Sequence, residues 1–123
     1  MTSATGAAAS IARTYVQAWT SGDAEKALSL VADDVVCEAP SGRIEGIDGY
    51  RRFLAPFVGR MLRGEVLDVL GHDTRAVTVY SVDLPFVRNL HGAEHLTVTD
   101  GKISHVISVF DMSPILAARA AQG

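Results

Sequence analysis

Glu94 is the residue whose chemical type and place in the pattern point most directly to reactivity. It opens the stretch EHLTVTDGKISHVISVFD, in which Leu96 and Val98 alternate with Thr97 and Thr99, the spacing of a strand with one buried face. Followed backwards, the alternation puts Glu94 on the face of Leu96 and Val98. A carboxyl group on a core-facing row loses water, which disfavours its charged form and raises its pKa toward the range where it exchanges protons near neutral pH. Two further carboxylates could partner it across a sheet. Asp83 shares the strand face of Val77, Val79 and Ser81, and Asp111 follows Phe110.

His91 to His95 spells H-x-x-E-H, which resembles a zinc-binding motif that works on a helix, where residues four apart converge. Gly92 and the surrounding alternation instead favour a strand, along which the two histidines would stand ~13 Å apart. Ligands must approach zinc to ~2 Å, so no metal is expected. His95 and His105 are expected on the outer sheet face or in an interface.

The elements that must position these groups follow from periodicity. Residues 7–20 place Ile11, Tyr15, Ala18 and Trp19 on one helical face, closed by Ser21-Gly22. Asp23 can cap a second helix, AEKALSLVA, which leads to a strand at 35–39 that Pro40, Ser41 and Gly42 end. A third helix starting near Asp48 carries the stripe Tyr50, Phe53, Leu54, Phe57 and Met61, and Pro56 is expected to bend or break it. Strands follow at 65–71, 75–84, 93–99 and 103–110, the last two joined by the tight turn Asp100-Gly101. No parallel crossover is expected. Ser113-Pro114 begins a short terminal helix.

Three helices followed by an antiparallel sheet give an α+β domain in which the sheet must curve over the helices to bury both apolar faces. The result is a cone with a cavity at its wide end. At 123 residues and 48% apolar content the chain suits a single domain spanning 1–123, with residues 1–6 expected to be disordered. A net charge of −3 without a basic run excludes a phosphate-backbone partner. The lone Cys37 cannot form an internal disulfide and reads as a small buried hydrophobe. With no basic, Leu-rich start and no membrane-length apolar run, a cytoplasmic location without membrane contact is expected.

In order and spacing, the residues resemble the nuclear transport factor 2-like superfamily, and within it the SnoaL-like and ketosteroid-isomerase-like proteins. The resemblance is carried by Tyr15 before Gly22-Asp23, by Ala32-Asp33-Asp34, by Gly46 and by Ala93-Glu94. It continues through Asp100-Gly101-Lys102-Ile103 to Val109-Phe110-Asp111. It implies a cone-shaped, strongly curved, mostly antiparallel sheet wrapped around N-terminal helices, commonly a homodimer. Tyr15 matches the tyrosine that, in the isomerases, donates to a developing oxyanion. Ala39 stands where those isomerases carry their base, and Ser108 where the polyketide cyclases carry an acid. Glu94 falls at or beside the isomerases' second acid, with His95 as the alternative.

The expected catalytic set is Glu94, Tyr15 and Asp83, and the expected lining is Trp19, Ala39, Phe53, Phe57, Met61, Ser108 and Phe110. With no phosphate loop, dinucleotide fingerprint or nucleophile elbow, the chemistry is expected to need no cofactor. The chain then reads as an acid–base catalyst of isomerisation, cyclisation, dehydration or epoxide opening. Its substrate would be a small apolar, polyketide- or terpenoid-like molecule. The alternative is a non-catalytic ligand-binding or dimerisation module of the same fold.

Overall fold

The structure is a computed structural model and describes residues 6–122. The expectation of disorder at 1–6 therefore falls, apart from Gly6, outside the described residues. In chain order the elements are α1 (Ala7–Thr20), α2 (Ala24–Leu28), β1 (Val31–Ala39), β2 (Gly42–Glu45) and α3 (Ile47–Arg60). They continue as β3 (Arg63–Gly71), β4 (Arg75–Leu84), β5 (Val87–Thr99), β6 (Lys102–Phe110) and α4 (Ser113–Gln122). Six strands form one curved, unclosed sheet in the order β2-β1-β6-β5-β4-β3.

The helix α1 forms because Ala8, Ala12, Tyr15, Val16 and Trp19 fall on one buried face. It lies in the trough of the sheet against β3, β4 and β5, while α3 covers β1 and β2. The Ala8 and Ala9 amides donate to the carbonyls of Asp73 and His72, which ties the start of α1 to the β3–β4 turn. Asp23 caps α2 by accepting from the Lys26 amide. That helix stops at Leu28, well short of the AEKALSLVA run. The Leu30 carbonyl accepts from the Ile103 amide and Val31 registers with Ile103, so sheet pairing takes over residues that local propensity leaves free.

Three other sequence expectations are corrected. The helix α3 runs through Pro56 to Arg60; Pro56 lies on its exposed side while Leu54 and Val58 are buried, so packing on both sides of the proline holds the helix. The strand β2 was not expected, because Ile44 is its single apolar side chain and only pairing with β1 defines it. The strands β1 and β6 run parallel, although every other pairing is antiparallel. The long return from β1 through β2 and α3 supplies the crossover such a pair needs.

Register shifts at Val66/Asp68, Val82/Leu84 and Thr97/Val98 interrupt the ladders, and bulges of this kind bend the bulged strand and tighten its twist. The hairpin between β5 and β6 turns on Asp100 and Gly101, both with positive φ (52° and 77°), the geometry of its two-residue turn. Leu96, Ile103, Val106, Val35 and Val82 enter the core beneath α1 and α3, and Ile103 and Val106, three residues apart, both do so because the register shift at Thr97/Val98 interrupts the alternation of β6. Among the described residues no helix is long and apolar enough to cross a membrane.

Leu96 on β5 is fully buried, at 0% exposure, whereas Leu116 on α4 is 55% exposed. Leu96→Ala should lower unfolding free energy by ~2–5 kcal/mol, and Leu116→Ala by less than ~0.5 kcal/mol. Urea unfolding of both variants checks the assignment of the core; equal losses would contradict it.

Candidate active site

On β5 the inward row is Leu90, Gly92, Glu94 and Leu96, and the outward row is His91, Ala93, His95 and Thr97. Glu94 is thus the residue that enters the cone, at 4% exposure, and the choice left open between Glu94 and His95 is resolved by strand parity. His95 lies on the outer face, where its Nδ1 has no hydrogen-bond partner among the described residues. His105, also outside, reaches Glu38 Oε2 at 2.8 Å. Since β5 is extended, His91, Glu94 and His95 cannot converge on one point. Among the described residues no group of His, Cys, Asp and Glu side chains could hold a metal.

Three donors from two elements hold the Glu94 carboxyl. Tyr15 on α1 donates to Oε2 at 3.0 Å, and Trp19, one turn along the same helix, donates its ring N–H to Oε1 at 3.2 Å. Thr78 on β4 donates its hydroxyl to Oε1 at 3.2 Å, as the register Thr78↔Glu94 requires. Behind Tyr15 stands Tyr50 of α3, and the two hydroxyls are hydrogen-bonded. With the single Tyr15 proton directed at Glu94, Tyr50 is the donor of that pair. A chain of donors therefore runs from α3 through α1 to the carboxyl on β5.

Burial pushes the Glu94 pKa up to about 7, and the bonds from Tyr15, Trp19 and Thr78 oppose the rise. Desolvation wins because, among the described residues, no cation faces the group to offset it. Burial, then the nearby Glu94 charge, raises Tyr15 and Tyr50 well above the ordinary phenol value, so both stay protonated donors. The Cys37 thiol is pushed up to about 12, first by burial and then by Glu94 and Glu38. A thiol held there is not a nucleophile.

One side of Glu94 opens on a slot of about 20 Å³ lined by Trp19, Phe53, Leu54, Phe57, Tyr80, Ser108 and Phe110, room for about one water molecule. Trp19 sets its back wall, edge-on to Tyr80 at 4.7 Å and to Phe57 at 5.8 Å between ring centres. Tyr80 lies flat over β5 because its partner there is glycine; a Cβ on Gly92 would stand 2.2 Å from the Tyr80 hydroxyl oxygen. Phe53, Phe57 and Phe110 also line a larger cavity of about 250 Å³ at the mouth of the cone, closed on its far side by Met112, Ile115 and Arg119. This larger volume therefore lies beside the slot at Glu94 and is joined to it by three phenyl rings.

Of the residues expected at the site, Glu94, Trp19, Phe53, Phe57, Ser108 and Phe110 come together around the slot. Tyr15 is completely buried beneath Glu94 and does not line the slot. Ala39 is on the inner face but apart from the slot, and Met61 packs on the core at the end of α3. Asp83 is corrected. The face it shares with Val77 and Val79 is the outer one, where it accepts from Arg63 at 3.1 Å and from the Asn89 amide at 2.9 Å. These partners hold its carboxyl below the usual range. Asp111 accepts from the Ser113 amide at 2.9 Å at the start of α4 and is likewise lowered. Residues that sequence reasoning did not place here are Thr78, Tyr80, Tyr50 and Leu54. The alternation of β4 puts Thr78 and Tyr80 on one face, but which face needs the sheet.

The SnoaL-like domain family matches residues 12–106. A crystal structure of a protein from Kribbella flavida DSM 17836 is similar at 40% identity and a TM-score of 0.88, covering 94% of this chain and 96% of the other. A second protein from that organism, provisionally described as a ketosteroid isomerase, is 29% identical with a TM-score of 0.73 over 83% and 76% of the two chains. A Sinorhizobium meliloti protein provisionally described as a polyketide cyclase is 20% identical with a TM-score of 0.70 over 81% and 94%, a likeness of fold alone. No curated protein matches this sequence. With 95 consecutive residues matched and the curved sheet wrapped over α1 and α3, the chain belongs to the SnoaL-like domain family of the nuclear transport factor 2-like fold.

Proposed function

We propose that this protein is a cofactor-independent acid–base catalyst that moves a proton on a small, largely apolar, oxygenated molecule held in the cone. The reaction would be an isomerisation, cyclisation, dehydration or epoxide opening. The observation that carries this reading is a buried carboxyl poised near neutrality: Glu94, with a pKa of about 7, facing a slot walled by aromatic rings. A group with that pKa holds its proton for donation below neutrality and accepts one above it, where positioned acid–base catalysis contributes ~10²–10⁴ in rate. Tyr15, Trp19 and Thr78 orient the carboxyl and stabilise its charged form once a proton has left. Tyr15 is a positioning residue in this scheme rather than a donor to substrate. The similar Kribbella flavida protein provisionally described as a ketosteroid isomerase is compatible with such chemistry.

A non-catalytic binding module is the second reading. Two observations favour it: both Glu94 oxygens are already engaged, and the slot of about 20 Å³ admits substrate only if Phe53, Phe57 or Phe110 moves. Exchange of the α-hydrogens of cyclic ketones in D₂O, followed by proton NMR, separates the readings. Wild-type protein should accelerate exchange with an inflection near pH 7, and Glu94→Gln should slow it by ~10²-fold or more. No acceleration by the wild type would favour the binding module, and equal rates for both proteins would remove Glu94 from the reaction.

The same carboxyl makes stability depend on pH. Its folded pKa, about 7, lies above the ordinary 4.5, so between those values the unfolded chain has released a proton that the native state retains. Stability is therefore highest below pH 4.5 with respect to this group and falls as pH rises toward 7, by roughly 3 kcal/mol. Asp83 and Asp111, with lowered pKa values, act oppositely and only below their ordinary 3.8. Urea midpoints across pH 4–8 should fall for wild type relative to Glu94→Gln; parallel curves would mean an unshifted Glu94.

We further propose a homodimer through the outer sheet face. Val109 is 60% exposed and Ile107 37%, both on the outward row of β6, with Leu67 and Leu70 exposed on β3. An apolar row of this kind marks an interaction surface. Light scattering should report a dimer at micromolar concentration and a monomer for Ile107→Glu/Val109→Glu; a monomeric wild type would refute the pairing.

A further inference from the structure

We infer that the molecule reaching Glu94 is an amphipathic organic acid whose anionic group is held at the cone mouth by Arg52, Arg60 and Arg119, while its apolar body lies along Phe53 and Phe57. The inference rests on the slot being the reacting site and names the class of substrate that site accepts. Of the eleven cationic side chains, Arg43, Arg51 and Arg63 form ion pairs with acidic neighbours, and Arg88 and Lys102 donate to backbone carbonyls. The other six have no side-chain ion-pair or hydrogen-bond partner among the described residues, and three of these, Arg52, Arg60 and Arg119, line the same cavity of about 250 Å³. In a chain of net charge −3, three unneutralised guanidiniums around one opening form a local field opposite to that of the whole.

The positions are ordered as well as close. Residues 52, 53, 56, 57 and 60 occupy one face of α3, so the face reads cation, apolar stripe, cation, and α4 brings Arg119 from the opposite wall. The phenyl rings of Phe53, Phe57 and Phe110 are shared between this cavity and the slot at Glu94. A ligand laid along them would have its charged end among the arginines and its apolar end at the carboxyl. Guanidinium forks suit carboxylate or phosphate oxygens, which they bind in pairs. The cavity falls just below the ~300–1,000 Å³ usual for small-molecule sites, which limits the body to one ring or a short chain. Asp111, next in sequence to the mouth residues Phe110 and Met112, accepts from the Ser113 amide and forms no ion pair with Arg52, Arg60 or Arg119 among the described residues.

The test is calorimetric titration with a matched pair, 4-phenylbutyrate and its neutral amide. The acid should bind at least ~5-fold more tightly than the amide at low ionic strength, and the advantage should shrink in ~0.5 M salt. The exposed triple variant Arg52→Gln/Arg60→Gln/Arg119→Gln should abolish the advantage, so that acid and amide bind it alike, whereas Arg13→Gln should leave the advantage unchanged. Thermal unfolding of the triple variant confirms that the fold is retained. Equal affinity for acid and amide, an advantage that survives the triple variant, or binding of neither would each overturn the inference. The Glu94 titration is read in the ligand-free protein, so failure here leaves the proton-transfer reading standing, and an unshifted Glu94 leaves the arginine mouth standing.

Discussion

The structure depends most on the burial of one carboxyl group. An ionised Glu94 in an apolar cone would cost several kcal/mol without partners, and the fold meets that cost with donors from α1 and β4. These bonds are too few to keep the group fully charged, and burial outweighs them. The outcome is intermediate: a carboxyl neither locked as an anion nor locked as an acid. Moving α1 by a fraction of its width would remove both Tyr15 and Trp19 from it, so the seating of that helix in the sheet sets the protonation of the carboxyl.

The seating is specified on both sides. Tyr15 and Trp19 are four residues apart on α1 and therefore adjacent on one face, which lets one helix supply two of the three donors. Across the sheet, Thr78 meets Glu94 because the β4–β5 register puts them opposite each other, and Gly92 leaves room for Tyr80 two residues before. A side chain at position 92 would push Tyr80 into the slot. The hydrogen bond from Tyr50 ties α3 into the same arrangement, so all three layers that enclose the site also hold the carboxyl.

Charge is separated by face. The outer sheet surface carries its acids in pairs, Asp83 with Arg63 and Glu38 with His105, where water screens them and each pair contributes little. Inside, Glu94 is the one buried acidic side chain among the described residues, and the cations nearest the cavity stay at the rim. A polar rim and an apolar passage to a single buried carboxyl are the features on which the proposed selection of ligands by polarity as well as size rests.

The sequence by itself determined the elements and their inward faces wherever periodicity was strong. The alternation from Glu94 to Thr99, the Asp100-Gly101 turn, the α1 face of Tyr15 and Trp19, and the aromatic stripe of α3 were all legible because burial of one face imposes a period of 2 or 3.6 on apolar residues. The same rule put Glu94 on a core-facing row. Tertiary structure alone decided what depends on partners distant in the chain. The end of α2 and the existence of β2 were set by pairing with β6 and β1, and the passage of α3 through Pro56 by packing on both sides of it. Strand parity tells that Asp83 shares a face with Val77 and Val79, but not that the face is the outer one; only the position of β4 relative to α1 settles that. The place of Tyr15 beneath Glu94 rather than in the cavity, and the meeting of Thr78 and Tyr50 with that network, arise from contacts 16 to 79 residues apart, which no local pattern encodes.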